Sequence, residues 1–376
     1  MSVEFEVKKF VLQSLLEKAF MVVPTKDVMP ILKNFLFRLE APDKIVVIST
    51  DQALTMVAQT TMAKVSSSAQ VVFPGAKLLD IVRSAEDDVM SFEIDGQSAE
   101  IKCAKSVIGL RLMDSKEYPL IPDVDLVVFT EIKRQEFLAA VSRVSSVAPS
   151  DTYRPQLNMI SLANGKVQAS DGVRFHQADV PYPGKLQIPA KAMTDLVKFL
   201  KATEDEFVRL GETPNHVVFK FGTEIFIALK PNVDFPPLDV ELLQPAILTN
   251  DQCCTVDRQQ LIDGIRRVRV AADTETNLVH IDLKGSSMTL RARDRNGNYA
   301  TQDMEVVWSY GYRQLGVNWS LLLTTLHAIV SPTVSIFLGM DTKAKLSSLL
   351  IKETGFMAVL SQMRVKEEKQ QKAVKI

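Results

Sequence analysis

"FPGAKLLDIVRS" (residues 73–84) and "IPAKAMTDLVKF" (188–199) decide how this chain is read. Each places a proline second, a lysine soon after, an aspartate eighth, then two apolar residues and a base. Each ends a longer pattern. "NFLFRLE" (34–40) and "KIVVIST" (44–50) form a strand pair that leads to Asp51 and the alternating "ALTMVAQT" (53–60). "MISLANGKVQASD" (159–171) ends on Asp171 and is followed by "GVRFHQADVP" (172–181). A third copy, "VHIDLKGSSMTLRARD" (279–294), ends on Asp294 and leads through "NYATQDMEV" (298–306) to "VNWSLLLTTLHA" (317–328), with Asn318 at the proline place. Segments 8–20, 131–147 and 257–270 carry apolar residues at helical spacing, such as Phe137, Val141 and Val144 or Leu261, Ile265 and Val268, and predict an opening helix for each copy. "VMSFEID" (89–95), "HVVFKFG" (216–222) and "TVSIFLG" (333–339) predict later strands. The fold class is therefore α+β, built from three repeats. The proline-rich stretches 114–125 and 231–245 read as extended linkers between them.

The 376 residues suit two or three domains, and 46% hydrophobic content supplies several cores. No apolar run approaches the ~18 residues that span a bilayer. "MSVEFEVKKF" has no signal-peptide core. Cys103, Cys253 and Cys254 are not a disulfide framework, so a reducing cytoplasm is expected. A net charge of −1, from 44 bases and 45 acids, argues against gripping a polyanion with the whole surface. A local basic face remains open. At about 100° per residue, Lys77, Asp80 and Ser84, with Arg83 further round, oppose Leu78 and Val82. Lys191, Asp195 and Lys198 oppose Met193, Leu196 and Leu200, and Arg266 and Arg267 lie on the polar side of 257–270. Aligned repeats would merge these helix faces into one surface suited to a loosely held polyanion.

Catalysis has little to stand on. His176, His216, His280 and His327 have no metal-ligand spacing to another His or Cys, and no phosphate loop or nucleophile elbow occurs. Asp51, Asp171 and Asp294 fall in separate repeats and read as strand-end turns capping local N–H groups. His176 alternates along "RFHQADV" and is expected at a surface or pocket edge. The expectation is a protein that is no enzyme and holds no cofactor or metal.

With "FPGAKLLDIVR" in the first copy, "ASDGVRF" in the second and "MAVLSQMRV" near the end, residues 1 to about 365 resemble the bacterial sliding clamp family, the β subunit of the replicative DNA polymerase III. The resemblance implies three clamp domains, 1–125, 126–248 and 249–365, each of two helices and two small antiparallel sheets; residues 366–376 extend beyond the family's usual end, and their charged and polar composition predicts a mobile tail. The chain would be half of a ring closed by a head-to-tail homodimer. Duplex DNA would pass through it without sequence preference, an ATP-dependent clamp loader would place it there, and DNA polymerase and other clamp-motif proteins would dock by a short peptide. It implies Lys26, Lys77, Arg83, Lys133, Arg154, Lys191, Lys198, Arg266 and Arg267 on the DNA side. It implies a peptide pocket of Leu157, Ser170, Gly172, Arg174, Phe175, Pro236, Ser348, Val359, Leu360, Met363 and Arg364. Val173 stands where the family has histidine, Ser361-Gln362 where it has Met-Pro, and the basic pair after Pro236 is absent, so an altered peptide preference is expected. A clamp-shaped scaffold or decoy that captures polymerase peptides without encircling DNA is the alternative.

Overall fold

The computed structural model describes residues 2–25, 29–86, 88–149, 153–236, 253–338 and 348–364. They form two compact units, Met1–Leu138 with Leu186–Asn232, and Ala139–Lys185 with Val233–Ile376. Among the described residues the α-helices are α1 (Lys9–Phe20), α2 (Gly75–Ser84), α3 (Arg134–Val144), α4 (Ala190–Ala202), α5 (Arg258–Val268) and α6 (Trp319–His327). The division between units falls within α3.

Each repeat builds its helix pair the same way. A strand enters the opening helix and pairs antiparallel with a strand that follows the second helix. The pairs are Val3–Lys8 with Val89–Asp95, Thr130–Lys133 with Phe207–Glu212, and Cys253–Asp257 with Thr333–Leu338. The opening residue of each first helix then donates to a carbonyl at the C-terminal end of the second. Lys9 Nζ reaches Ala85 O at 2.5 Å, Arg134 Nη1 reaches Leu200 O at 2.8 Å, and Arg258 Nη1 reaches Ile329 O at 2.6 Å. A cation suits those carbonyls, which have no partner within the helix and carry its partial negative charge. Residues 131–133 are thus strand rather than the first turn of a helix, because their backbone pairs with Val208 and its neighbours. Lys133 sits on that strand.

In the first unit, α1 buries Val11, Leu12, Leu15, Leu16 and Ala19, and α2 buries Leu78, Leu79 and Val82. They meet Phe5, Phe37, Phe73 and Phe92 of the strands, with Phe5 stacked on Phe92 at 4.3 Å. The linker after residue 114 closes a second small core. Tyr118 is buried with Ile31, Leu36, Ile48 and Val72. A five-stranded sheet ends on the strand Ser106–Arg111. An eight-stranded sheet joins two repeats, because Leu54–Thr60 of the first pairs antiparallel with Glu224–Leu229 of the second.

The second unit repeats the junction. Its longer sheet runs through Met159–Ala163, Lys166–Ser170, Arg174–Asp179, Phe356–Ser361, Ser348–Glu353, Thr333–Leu338 and Cys253–Asp257. Here Arg174–Asp179 of the second repeat pairs with Phe356–Ser361 of the third. The two junctions share one register. Ala228 lies opposite Leu54 and Leu360 opposite Arg174: in each case the fifth residue of a terminal strand faces the residue three past the aspartate. The unit's four-stranded sheet ends on Tyr299–Glu305, the strand that follows Asp294.

Candidate functional site

The three aspartates cap turns as expected. Asp51 Oδ1 accepts from Ala53 N and Leu54 N at 3.0 and 2.7 Å, and Asp171 Oδ1 from Val173 N and Arg174 N at 2.9 and 2.8 Å. Asp294 Oδ1 accepts from Asn296 N and Asn298 N, both at 2.9 Å, in a turn one residue longer. The Asn298 side chain, followed by the turn's backbone N–H groups, holds the Asp294 carboxyl below the usual carboxylate range.

The Asp171 turn organises the candidate pocket. Ser170 Oγ donates to Arg174 O at 2.9 Å and accepts from Gly172 N at 3.1 Å. Gly172 has φ +84°, a conformation that L side chains resist. A Cβ there would collide with Arg154 Nη1 and touch Leu157 Cδ1 at 3.6 Å, so glycine admits both side chains beside the turn. Successive strand residues face opposite sides, and the pocket residues divide accordingly. Phe175 and Val359 lie opposite each other and are buried with Leu350 and Met357 on one face. Arg174 and Leu360 form the next pair, facing the other way. Arg174 Nε holds Asp171 Oδ2 at 2.9 Å, and Nη2 holds Ser146 O at 3.1 Å. Buried Arg174 Nη1 and Gln362 Nε2 have no acceptor among the described residues. Ser348 pairs with Ser361, Met363 N donates to Gly316 O at 2.8 Å, Pro236 is half-buried and Arg364 exposed.

His176 corrects an expectation. It is fully buried, because both faces of its strand are covered and alternation no longer marks the surface. Nδ1 faces Arg143 O at 3.0 Å, and Nε2 faces Thr325 Oγ1 at 3.0 Å. A carbonyl only accepts, so the neutral ring carries its proton on Nδ1. Burial, reinforced by the charges of Arg174 and Arg143, outweighs the Arg143 carbonyl and Asp171 and pushes the imidazole down to about 4. Arg143 itself pairs with Glu353, donates to Ala328 O at 2.7 Å and lies 4.1 Å over the Phe356 ring. Glu353 also accepts from Val330 N and Ser331 N at 3.1 and 2.9 Å. Sequence reasoning missed this network. Its signal was a base at the tenth position of each opening helix, Lys18, Arg143 and Arg267.

The residues expected on a DNA side are exposed wherever they are described, and Lys26 lies outside the described residues. Most hold acids of their own unit. Arg83 pairs with Glu17 at 3.2 Å, Lys133 with Glu136 at 3.7 Å, and Lys191 with Asp51 at 2.8 Å. Lys198 pairs with Asp195 at 2.8 Å, and Arg266 with Asp263 at 3.6 Å. Arg267 Nη1 donates to Gln302 Oε1 at 3.0 Å. Exposed pairs of this kind are weak and exchange readily with other anions. Among the described residues no cluster of His, Cys, Asp and Glu is arranged to hold a metal ion, and no helix is long and apolar enough to cross a membrane.

Comparison with known proteins agrees with this architecture. Residues 3–122 match the family model of the DNA polymerase III beta subunit, N-terminal domain. The beta sliding clamp of Pseudomonas aeruginosa is 22% identical over 347 residues, covering 89% of this chain and 93% of the relative. That of Micrococcus luteus is 25% identical over 293 residues, covering 75% and 92%. The crystal structure of a sliding clamp from Pseudomonas aeruginosa bound to griselimycin superposes with a TM-score of 0.86 at 21% identity, over 97% of this chain and 100% of that one.

Proposed function

We propose that the chain is a divergent member of the bacterial sliding clamp family, and that two copies close head to tail into a ring that encircles duplex DNA and tethers a polymerase to it. The observation that carries this is the shared register of the two junctions inside the chain. Each joins the strand after an aspartate turn to the terminal strand of the following repeat. Two strands of these kinds lie at sheet ends, Tyr299–Glu305 after the third aspartate and Ser106–Arg111 closing the first repeat. An unpaired strand edge is a template for another chain. The third repeat of one copy therefore receives the first repeat of the next, an unlike-surface contact that forms a ring when the rotation closes. The internal register sets Leu110 opposite Asn298, Ile108 opposite Ala300 and Ser106 opposite Gln302 of the second copy.

A ring holds DNA by topology, so its phosphate contacts can be weak. Lysines and arginines already shared with neighbouring acids suit such contacts. They keep the barrier to sliding low, and binding remains salt-sensitive and independent of sequence. An ATP-dependent loader supplies the opening. The Asp171 turn and the Phe175–Val359 face receive a partner's short peptide: an apolar anchor against Phe175 and Val359, and peptide carbonyls on Arg174 Nη1 and Gln362 Nε2, buried donors without acceptors among the described residues. Griselimycin on the Pseudomonas aeruginosa clamp is consistent with a ligand site on this fold.

The test is topological. Chains diluted until rings dissociate are mixed with nicked circular duplex, reconcentrated and filtered at high salt. The protein should travel with circular DNA and be released when the circle is cut once. Failure to travel with the circle while a polymerase clamp-motif peptide still binds would mark the decoy. Retention that survives linearisation would exclude encirclement.

A further inference from the structure

We propose that Arg267 is a key that locks two copies together, seated in a cavity on the first repeat of the second copy. The proposal rests on the ring reading above and assigns Arg267 a partner other than DNA.

The three opening helices correspond position for position when counted from Lys9, Arg134 and Arg258, which bind equivalent carbonyls. On the same count Lys18, Arg143 and Arg267 occupy the tenth position. Lys18 pairs with Glu224, the first residue of the next repeat's terminal strand. Arg143 stacks on Phe356, which holds the same place in the following repeat. It also takes Ala328 O, one residue before the Ile329 carbonyl bound by Arg258, and pairs with Glu353 before the hairpin turn. Both internal cations thus reach into the repeat that follows their own.

Among the described residues no repeat follows that of Arg267. The first repeat carries a cavity of about 320 Å³ at the corresponding place. Ser84 lines it where Ala328 stands in the third repeat, and Cys103 and Ser106 stand for Glu353 and Phe356. The cavity carries its own acid, Glu86, exposed and without an ion-pair partner among the described residues. Glu86 stands where the third repeat has Val330, two residues beyond the carbonyl that Arg143 takes. Arg267 is directed correctly, since its guanidinium rests on Gln302, and Gln302 faces Ser106 in the extended register. The rim's one cation, Lys105, corresponds to Gly355, where a Cβ would lie 3.7 Å from Asp179 Oδ2. Asp179 corresponds to Asp303, so Lys105 meets a carboxylate of the second copy.

Sedimentation equilibrium of the full chain reads the lock directly. R267E and E86K, each alone, should weaken dimerisation about tenfold or more, and the double variant R267E/E86K should restore it, because the pair is rebuilt with its charges exchanged. Single variants that dimerise like the wild-type chain, or a double variant no better than either single one, would overturn the lock and leave the ring intact. A wild-type chain that is monomeric throughout would remove the ring reading itself. If R267E leaves dimerisation unchanged and lowers DNA retention, Arg267 belongs to the lining.

Discussion

The junction at Leu54–Ala228 and the junction at Arg174–Leu360 share a register but not a chemistry. At the first, the cross-strand row reads Thr50, Thr55, Ile227, Val218, Gly211; at the second it reads Ser170, Phe175, Val359, Leu350, Phe337. The turns are alike too. Thr50 Oγ1 bonds Leu54 O and Gln52 N as Ser170 Oγ bonds Arg174 O and Gly172 N. Gln52, at φ 72°, takes the place of Gly172 and reaches Met29 Sδ at 3.4 Å. The linker at Val127–Phe129 lies so close to Gly211 that a Cβ there would stand 2.8 Å from Val128 O. The first row is small and shut by the chain itself. The second is aromatic and aliphatic, with a glycine at its turn. One backbone solution thus serves as plain glue in one place and as a candidate peptide site in the other.

The largest difference should appear in the ion pairs. Arg143→Met leaves the Glu353 carboxylate only its two backbone donors, Val330 N and Ser331 N, and should cost about 3–5 kcal/mol, the range for one partner lost from a buried pair. Lys18→Met removes a cation that is itself more exposed than Arg143 and holds a single side chain, Glu224, and should cost about 1–2 kcal/mol. Trp308 and Trp319 are the only tryptophans and both lie in the second unit. Urea unfolding followed by tryptophan fluorescence should therefore shift strongly for R143M and little for K18M, while far-UV circular dichroism registers both. Equal fluorescence shifts would show the junctions to be energetically alike.

His176 has no counterpart at the first junction, where Met56 occupies its place opposite Phe226. Its folded-state value of about 4 lies below the ordinary 6.5. As pH falls through 6.5 the unfolded chain gains a proton that the folded chain refuses until about 4. The second unit should lose up to about 3 kcal/mol across that window. Arg143, Arg174 and Asp171 face the ring. The pH-dependent fall in the fluorescence-detected urea midpoint should flatten in His176→Asn. An unchanged slope would assign the effect to the carboxylates.

The turns can be exchanged for a smaller effect. Gly172→Gln gives the second turn the first turn's residue. It should weaken binding of a polymerase clamp-motif peptide about tenfold, at a stability cost of about 1–2 kcal/mol for a side chain at positive φ. Gln52→Gly should leave peptide binding unchanged. Fluorescence anisotropy with a labelled peptide measures both, and equal loss in the two variants would move the peptide elsewhere.

Much of this was legible in the sequence. The aspartate turns, the strand pairs and the six helices follow from local periodicity and turn chemistry, which act within a few residues. The merging of sheets across repeats was not legible, because Leu54 meets Ala228 through backbone bonds that leave no mark on either segment. Burial of His176 was hidden for the same reason, since a strand covered on both faces loses its alternation. The expected inner-face bases that are described are exposed, but nothing in their helical spacing announced that Asp51 would hold Lys191 from another repeat. Arg267 looked like one more exposed helix-face base until the contacts of Lys18 and Arg143 gave its position a meaning.

The central claim is that the register written twice inside the chain is used a third time between chains. A disulfide tests it directly. Ile108→Cys and Ala300→Cys in one chain, with each single variant as control, place two thiols opposite each other only across copies. Oxidation should convert the double variant into a covalent dimer of twice the 41.9 kDa chain mass, sealed on both sides, while the single variants stay at 41.9 kDa. A double variant that remains at 41.9 kDa after oxidation at micromolar concentration would contradict the account.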